Sequence, residues 1–310
     1  MNKKYDVLCI GLQVIDMVVS PIPHNVLELG TSRADIEMHL GGDALNQAVT
    51  VSSLGAKTAL MGAVGNDRLG EILLSQLEKM PIHVEDKTID TKTGISIVLV
   101  DTEHERHIVY QTDNNEEFSY NEINEEIIKE SKIVSIGGFM ALKNLDEDGI
   151  PKILRLAKEH DAITVMDCRV LRPSYNMDKI KEALSLTDYF LPSEEEASWL
   201  TGEKKDYVKM AETLHEMGAK NCIVKIGEKG CYVSAEGIKK VVPAFPCNCV
   251  DTTGAGDTFA GAFLYAKSKG WDTETCALFG NAAASIGVEH IGANGAIKNV
   301  EQVMERMKLH

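Results

Sequence analysis

Several features that would assign this 310-residue chain to other classes of protein are missing. It has no apolar run long enough to cross a bilayer, and the apolar run before Gly11 is too short for a signal peptide. The seven cysteines follow no regular spacing, and Cys247 and Cys249 have no second pair or histidine at zinc-site spacing. These absences predict a cytoplasmic protein in a reducing compartment, with no structural zinc and no membrane partner.

Positive charge is also scarce. The chain has 47 acidic and 32 basic residues, which give a formal net charge of -15. This charge disfavours nucleic acid as a partner, since bulk electrostatics would repel a phosphate backbone. An anionic ligand must therefore be held by local dipoles, a few cations or a metal. The composition, 44% hydrophobic and 25% charged, is typical of a globular protein with a sizeable core.

Two common phosphate-binding motifs are absent as well. No G-x-G-x-x-G follows the first apolar run, so a dinucleotide-binding half is not supported. The segment GNDRLG, from Gly65 to Gly70, has the glycine spacing of a Walker P-loop, but Glu71 stands where that motif needs a lysine. The sequence therefore disfavours both a dehydrogenase and a P-loop nucleotidase.

The chain does contain an alternation of apolar runs with helical segments. The runs suited to strands buried on both faces of a parallel sheet are VLCIGL, KTALMGAVG, KIVSIGGF, AITVMD, DYFLPS and NCIVKIG. Apolar residues three and four positions apart predict helices over 43–54, 67–80, 148–160 and 206–217. This alternation predicts an α/β fold, with a doubly wound, mostly parallel sheet flanked by helices, in one domain over 1–310.

Two segments interrupt the alternation. Residues 14–40 resemble strands joined by a proline-containing loop, and residues 91–112 resemble a hairpin with its polar turn at DTEHER. Together they predict a small discontinuous β sheet inserted in the larger domain, which we call the lid. An antiparallel extension of the main sheet is the alternative. Exposed edges of a lid sheet would also favour a homodimer.

The stretch DTTGAGDTFAGAF, 251–263, carries the chemistry. Apolar residues at helical spacing follow Gly254, Ala255 and Gly256, so these three lie at a helix N-terminus, where free N–H groups and the helix dipole favour an anion. Asp257 in the first turn could take a proton from a hydroxyl that attacks a phosphoryl group. The alternative is an aspartate that only stabilises the helix start. The first interpretation predicts phosphoryl transfer from a nucleotide to an alcohol.

Two stretches of the chain, in the same order, resemble the signatures of the ribokinase-like (PfkB-type) carbohydrate kinases. The C-terminal signature, D-T-x-G-A-G-D, is residues 251–257. The N-terminal signature is GGDALNQAVTVSSLGAKTALMGAVGND, residues 41–67, with a double glycine and an asparagine four residues on. The resemblance implies ATP-dependent phosphorylation of a hydroxyl of a sugar or sugar-like small molecule, held between the large domain and the lid.

The resemblance also implies a role for each matching residue. Asp257 would be the catalytic base, and Gly254, Ala255 and Gly256 would form the anion hole. The sugar-binding residues would be Asp16, Gly41, Gly42 and Asn46. The residues that border ATP would be Lys225, Gly227, Gly230 and Asn281. The alternatives for these positions are turn formation, helix capping and helix packing.

Two metal ions follow from the same resemblance. Glu196 matches a glutamate that the family associates with Mg²⁺ and its waters, although Ser193 replaces the family's asparagine. The alternative is a solvated helix start with Ser193 as its N-cap. Asp251 and Thr253 lie where part of the family binds a monovalent cation, so K⁺ is left open.

The sugar-facing positions depart from ribokinases proper. Val14 and Asp43 stand where ribokinases often carry an asparagine and a lysine, and a valine cannot bond a hydroxyl, so the sequence does not predict ribose. Fructokinase and ketodeoxygluconate kinase patterns have an aspartate and an arginine after the mid-chain strand, where Asp167, Arg169 and Arg172 stand with a different spacing. Arg106 on the lid could reach a sugar carboxylate or phosphate, and a solvated surface arginine is the alternative. A nucleoside kinase of the same fold, and a non-catalytic sugar-binding regulator, remain alternatives.

Overall fold

The computed structural model describes residues 3–103, 106–170 and 175–308. The strands are, in chain order, β1 (Tyr5–Gly11), β2 (Val14–Ile22), β3 (Asp35–Gly41), β4 (Thr58–Met61), β5 (Ala63–Gly65), β6 (Ile82–Val84), β7 (Lys87–Ile89), β8 (Ile95–Asp101), β9 (Arg106–Gln111), β10 (Ser131–Phe139), β11 (Ile163–Cys168), β12 (Tyr189–Phe190), β13 (Cys222–Lys225), β14 (Cys231–Ala235) and β15 (Ile238–Val242). The α-helices are α1 (Asp43–Ser53), α2 (Arg68–Leu77), α3 (Asp113–Glu117), α4 (Glu125–Lys129), α5 (Ile150–Glu159), α6 (Met177–Ser185), α7 (Glu194–Thr201), α8 (Tyr207–Glu216), α9 (Ala255–Ser268), α10 (Thr273–Gly287) and α11 (Val300–Met307).

A nine-stranded sheet in the order β15-β14-β13-β12-β11-β10-β1-β4-β6 forms the centre of the molecule. Its strands are parallel from β13 to β6. At one edge, β14 pairs antiparallel with β13, and β15 pairs antiparallel with β14. Alternate residues of β1 enter opposite cores: Val7 belongs to the core that includes residues of α1, α9 and α10, whereas Leu8 belongs to the core that includes residues of α5, α6 and α8. Burial on both faces explains the continuous apolar runs. The predicted doubly wound α/β fold is confirmed.

A second, four-stranded sheet in the order β3-β2-β8-β9 is formed by the two segments that interrupt the alternation. Strand β2 pairs antiparallel with β3 and parallel with β8, which pairs antiparallel with β9. The sheet is separate from the nine-stranded sheet, so the antiparallel extension is excluded. Its discontinuous strands agree with the predicted fold class. Its movement as a lid stays a prediction, as does the assignment of 1–310 to one domain.

The structure departs from the predicted elements in detail. The run KTALMGAVG is divided at Gly62, so that β4 joins the large sheet whereas β5 pairs with β7 in a two-stranded sheet. The helix predicted from Asp148 begins with a π-helical turn (Leu145–Gly149) and continues as α5. Helices α3 and α4 were not predicted, since five residues are too few to show helical periodicity.

Two buried amides of α3 hold the connections that lead into the small sheet. Asn115 Oδ1 accepts from the Gln13 backbone N–H at 2.9 Å, and Asn115 Nδ2 donates to the Gln13 carbonyl at 2.9 Å. Asn114 Oδ1 accepts from the Gly94 backbone N–H at 2.6 Å, while its Nδ2 donates to the Ala63 carbonyl at 2.6 Å. These bonds fix the connections that lead into β2 and β8, and therefore the position of the small sheet over the carboxyl ends of the large sheet's strands.

The seven cysteines are all free, and only Cys247 and Cys249 are exposed. Among the described residues, no helix is both long enough and apolar enough to cross a membrane. The reducing cytoplasmic location stays a prediction.

Candidate active site

The first turn of α9 is set by a glycine that no other residue could replace without strain. Gly254 is the N-cap and has φ 69°, the left-handed region that L side chains rarely adopt. A Cβ at this position would also overlap with the backbone of Ala293. The turn that follows presents the Asp257 side chain and the N–H groups at the positive end of the helix dipole.

Asp257 is held by a chain of two amides. Asn46, on α1, donates from Nδ2 to Asp257 Oδ2 at 2.8 Å. Asn294 in turn donates from its Nδ2 to Asn46 Oδ1 at 3.0 Å and to the Leu40 carbonyl at 2.7 Å. The amide orientation of Asn46 is therefore determined, because its oxygen accepts from Asn294 and its nitrogen donates to the carboxylate.

The surroundings of Asp257 favour its protonated form. Burial raises the pKa of the Asp257 carboxyl well above its usual range, and the negative charges of Asp43 and Asp167 raise it further. The bond from Asn46 and the Lys225 ammonium act in the opposite direction. A carboxyl with a raised pKa in a cleft is suited to accept a proton from an alcohol.

A cavity of about 170 Å³ lies between the small sheet and the start of α9. Its polar lining includes Asp16, Asp43, Asn46, Ser96, Thr112, Arg169, Thr253 and Asp257, with the backbone of Gly42 and Gly254. Its apolar lining is Leu12, Val14, Val98, Ile108 and Ala293, together with the ring of Tyr110. The cavity therefore gathers the sequence-predicted base and three of the four predicted sugar-binding residues.

Gly41 leaves space for the Asp16 side chain, and its contact with a sugar stays a prediction. A Cβ at residue 41 would overlap with the Asp16 carboxylate. Gly41 is opposite Val14 on the neighbouring strand, and Asp16 lies two residues beyond Val14 on the same face of the sheet. Asp16 is 8% exposed and bonded by the Ser96 hydroxyl. Burial raises the pKa of Asp16, partly opposed by Ser96 and the Arg169 guanidinium.

Lys225, at the end of β13, forms an ion pair with Asp167, at the end of β11. Its Nζ donates to Asp167 Oδ1 at 2.8 Å and Oδ2 at 2.9 Å, and its side chain is 14% exposed. Burial alone would lower the pKa of Lys225, but the carboxylates of Asp167 and Glu196 outweigh this effect and raise it. A Cβ on Gly256 would lie 3.2 Å from Lys225 Nζ, so the ammonium lies beside the first turn of α9.

A second cavity, of about 570 Å³, lies on the other side of the same turn. Gly227, Ala255 and Asn281 line it, together with Phe245 and Thr252. Asn281 also tethers the chain after β15, since its Nδ2 donates to the Val242 carbonyl at 2.9 Å and the Pro243 carbonyl at 3.1 Å.

Gly230 lies outside the lining of the second cavity. It has φ 101° in the turn between β13 and β14, and a Cβ there would overlap with the Val242 carbonyl. The structure therefore gives Gly230 a backbone role. Contact with ATP stays a prediction for all four residues assigned to the nucleotide.

Glu196 has a local structural role in α7. Ser193 and Glu196 form a capping box, in which the Ser193 N–H donates to Glu196 Oε2 at 2.7 Å and the Glu196 N–H donates to Ser193 Oγ at 3.2 Å. The capping alternative is therefore present in the structure. Among the described residues there is no cluster of three or more His, Cys, Asp or Glu side chains arranged to hold a metal.

Asp251 joins two loops near the cavities. Its Oδ1 accepts from the Thr253 N–H at 2.9 Å and the Thr253 hydroxyl at 2.7 Å, and its Oδ2 accepts from the Gly292 N–H at 2.8 Å. Both residues predicted to hold a monovalent cation therefore also stabilise the loop arrangement beside Gly254.

Several residues of the site were not assigned from the sequence. Asp43 and Arg169 form an ion pair in the first cavity, and Asn294 orients Asn46. The sequence singled out Asp43 only as a departure from the ribokinase pattern and Arg169 only as an arginine after the mid-chain strand, and it gave no signal for their pairing or for Asn294. Of the other candidate cations, Arg172 and the side chain of Arg106 lie outside the described residues.

Comparisons with known proteins agree with this geometry. The pfkB family carbohydrate kinase model matches residues 4–299. Among solved structures, the chain is similar to a ribokinase from Thermotoga maritima (30% identity, TM-score 0.81, covering 98% of this chain and 99% of that one). It is also similar to an Arabidopsis thaliana ribokinase complexed with ribose and ATP (26% identity, TM-score 0.81, covering 98% of this chain and 99% of that one). A third similar structure is an adenosine kinase from Sinorhizobium meliloti (26% identity, TM-score 0.82, covering 99% of this chain and 100% of that one). The chain therefore belongs to the pfkB family of carbohydrate kinases and is a sugar kinase of that family.

Proposed function

We propose that this kinase transfers the γ-phosphoryl group of ATP to a hydroxyl of a sugar or sugar-like alcohol, with Asp257 as the base. One observation carries the proposal: the first turn of α9 separates two cavities. Asp257 and Gly254 line the first cavity, and Ala255 lines the second. An acceptor in the first and a nucleotide in the second would meet at the helix N-terminus.

The step conserves atoms and charge. The acceptor oxygen bonds to the γ-phosphorus as its proton passes to Asp257, and the bond from that phosphorus to the bridging oxygen of ADP breaks. The N–H groups of Gly254, Ala255 and Gly256 form the proposed anion hole. The Ala255 N–H is bonded to the Thr252 carbonyl at 3.2 Å, so we expect Gly256 to contribute most. Lys225, beside Gly256, adds a positive charge.

A hydrated Mg²⁺ is part of the same proposal. The carboxylates of Asp167, Glu196 and Asp257 are near enough to raise the pKa of Lys225, although no three such side chains among the described residues are arranged to hold a metal directly. Mg²⁺ prefers oxygen ligands and keeps several waters. Glu196 would hold the ion through water, and the ion would neutralise the phosphate oxygens of ATP.

A K⁺ site at Asp251 and Thr253 is the second metal in the proposal. The two loops that Asp251 joins lie next to Gly254, so an ion held there would support the anion hole. Equal phosphorylation rates in K⁺ and Na⁺ buffers of the same ionic strength would reject it.

A homodimer through the small sheet is also proposed. Ile36 on β3 and Val109 on β9 are 67% and 61% exposed, and both strands are sheet edges. Light scattering should give twice the monomer mass for the unmodified chain and the monomer mass for Ile36→Lys. Leu27→Lys, at a position that is 95% exposed and outside the strands, is the control. A monomeric unmodified chain would reject the dimer.

A nucleoside acceptor is the second candidate function. Val98, Ile108 and Tyr110 form an apolar wall of the first cavity, and Tyr110 is 46% exposed there. Such a wall could cover a flat base, and an adenosine kinase is among the similar structures.

The test is ATP-dependent phosphorylation by the purified protein across pentoses, hexoses, sugar acids and nucleosides. Asp257→Asn should lower turnover of every acceptor by about 10²-fold or more. Asp148 is an exposed carboxylate paired with Lys179, and Asp148→Asn should leave turnover unchanged. Turnover of nucleosides alone would select the second candidate. No turnover of any acceptor, with ATP bound, would favour a non-catalytic sugar-binding regulator.

A further inference from the structure

The first cavity contains an ion pair beside the proposed base. Arg169 Nη1 lies 3.5 Å from Asp43 Oδ1, and both residues line the cavity. The Asp43 side chain is 8% exposed and the Arg169 side chain 41%, so the guanidinium is the more accessible partner. Asp43 is the first residue of α1, and Arg169 directly follows β11.

Arg169 is the one cation among the described residues that line this cavity, and it faces several carboxylates. Asp43 makes the largest contribution to raising its pKa, which burial alone would lower, and Asp257, Asp16 and Glu196 raise it further. Three carboxylates, Asp16, Asp43 and Asp257, line the cavity against this single guanidinium. The cavity therefore has an excess of negative charge when its carboxyls are ionised.

This arrangement is complementary to hydroxyl groups. Carboxylates accept the hydrogen bonds that hydroxyls donate, and the remaining N–H groups of Arg169 can donate to hydroxyl oxygens. An acceptor with a carboxylate or phosphate would bring a further negative charge beside this group of carboxyls, and like charges at close range cost several kcal/mol. Asp43 already offsets the positive charge of the guanidinium, which is therefore less able to compensate the charge of an anionic acceptor.

We propose that the Asp43–Arg169 pair is a specificity determinant that selects neutral polyhydroxylated acceptors and rejects sugar acids and sugar phosphates. The proposal rests on the proposed function of the same site. The selection is by charge: Asp43 neutralises Arg169, so the guanidinium can still donate to hydroxyls but gives an anionic group no net compensating charge.

The experiment compares kcat/KM for a neutral sugar, the matching sugar acid and the matching sugar phosphate. The unmodified chain should prefer the neutral sugar by at least about tenfold. Asp43→Asn removes one negative charge and frees Arg169, so the acid-to-neutral ratio should rise about tenfold or more. Arg169→Met leaves the carboxylates without their cation, so the same ratio should fall.

The opposite directions of the two variants separate charge selection from loss of folding. Melting temperatures check that both variants are folded, and Asp148→Asn is the matched control, with an unchanged ratio. Preference of the unmodified chain for the acid or the phosphate would overturn the proposal. So would ratios that stay within about twofold in both variants.

Binding measurements keep this proposal distinct from the proposed function. If the unmodified chain phosphorylates nothing, the proposed function fails, and calorimetric binding of gluconate against glucose and of ribonate against ribose still tests charge selection. Tighter binding of the acids would contradict the role of the pair, and tighter binding of the neutral sugars would support it.

Discussion

Asn46 and Asp257 are 211 positions apart in the chain, yet the Asn46 amide donates to Asp257 Oδ2 at 2.8 Å. This contact joins the two stretches that carry the family signatures, since Asn46 lies on α1 and Asp257 on α9. A donor to the carboxylate stabilises its ionised form. Asn46 therefore acts on the protonation of the proposed base, whether or not it also bonds a sugar.

Replacing Asn46 should change the pH dependence of the reaction. Burial already raises the pKa of Asp257, and the Asn46 bond opposes that rise, so Asn46→Ala should raise this pKa further. A base must be ionised to act, so the acid limb of the kcat/KM profile should move to higher pH. Asn121→Ala, at an exposed position, is the control. A variant that only weakens acceptor binding, with an unmoved acid limb, would contradict this role.

The Lys225–Asp167 pair should affect stability and activity separately. Lys225→Met leaves a buried carboxylate without its cation and should lower the free energy of unfolding by about 3 kcal/mol. Lys225→Met with Asp167→Asn removes both charges and should recover much of that stability without recovering activity. Urea unfolding and kcat measure the two effects, and Lys240→Met, an exposed lysine, is the control. Equal stability of the single and double variants would contradict the prediction.

Asp86 should make the stability of the fold depend on pH. Gln13 Nε2 donates to Asp86 Oδ1 at 2.7 Å, while Asp86 Oδ2 and Gln13 Oε1 are buried without a partner. Burial raises the pKa of Asp86 to about 7, with nearby Glu85 adding to the rise and the bonds from Gln13 and the Gly62 backbone opposing it. A protonated Asp86 could donate from Oδ2 to Gln13 Oε1, which would give both of these buried oxygens a hydrogen-bond partner.

The sign of this effect follows from linkage. The folded pKa is above the unfolded value, so the protonated carboxyl stabilises the fold at low pH, and this contribution is lost as the pH rises from about 4 to 7. Asp86→Asn keeps the amide pairing at every pH. Its free energy of unfolding relative to the unmodified chain should therefore increase from pH 5 to pH 8, by at most about 3 kcal/mol. A difference that is the same at both pH values would contradict this account.

The small sheet should limit wasteful hydrolysis of ATP. If it closes over the first cavity only when an acceptor is bound, water will be excluded during transfer. ADP formation without an acceptor should therefore be much slower than with the phosphorylated sugar. Equal rates in the two conditions would reject this gating role.

The large-scale architecture was predictable because it depends on local patterns. Continuous apolar runs such as VLCIGL indicated strands with residues buried on both faces, and Val7 and Leu8 indeed enter opposite cores. The glycine turn before Asp257 indicated a helix start, and Gly254 is the N-cap of α9.

The contacts that orient the site were not predictable in the same way. Asn294 bonds Asn46 across 248 positions, and Asp43 meets Arg169 from a different helix–strand unit. Such pairs depend on how α1, β11 and the loop after α10 are arranged in space. A single sequence carries no local signal for them.

The most direct test of Asp257 as the catalytic base is the phosphoryl-transfer rate of Asp257→Asn with the best acceptor at saturating ATP. We expect kcat to fall by about 10²-fold or more, because the asparagine accepts no proton. Calorimetry should show that ATP and the acceptor still bind, because the asparagine has nearly the same shape as the aspartate. A variant that retains most of the unmodified kcat would show that Asp257 is not the base, and the proposed mechanism would be wrong.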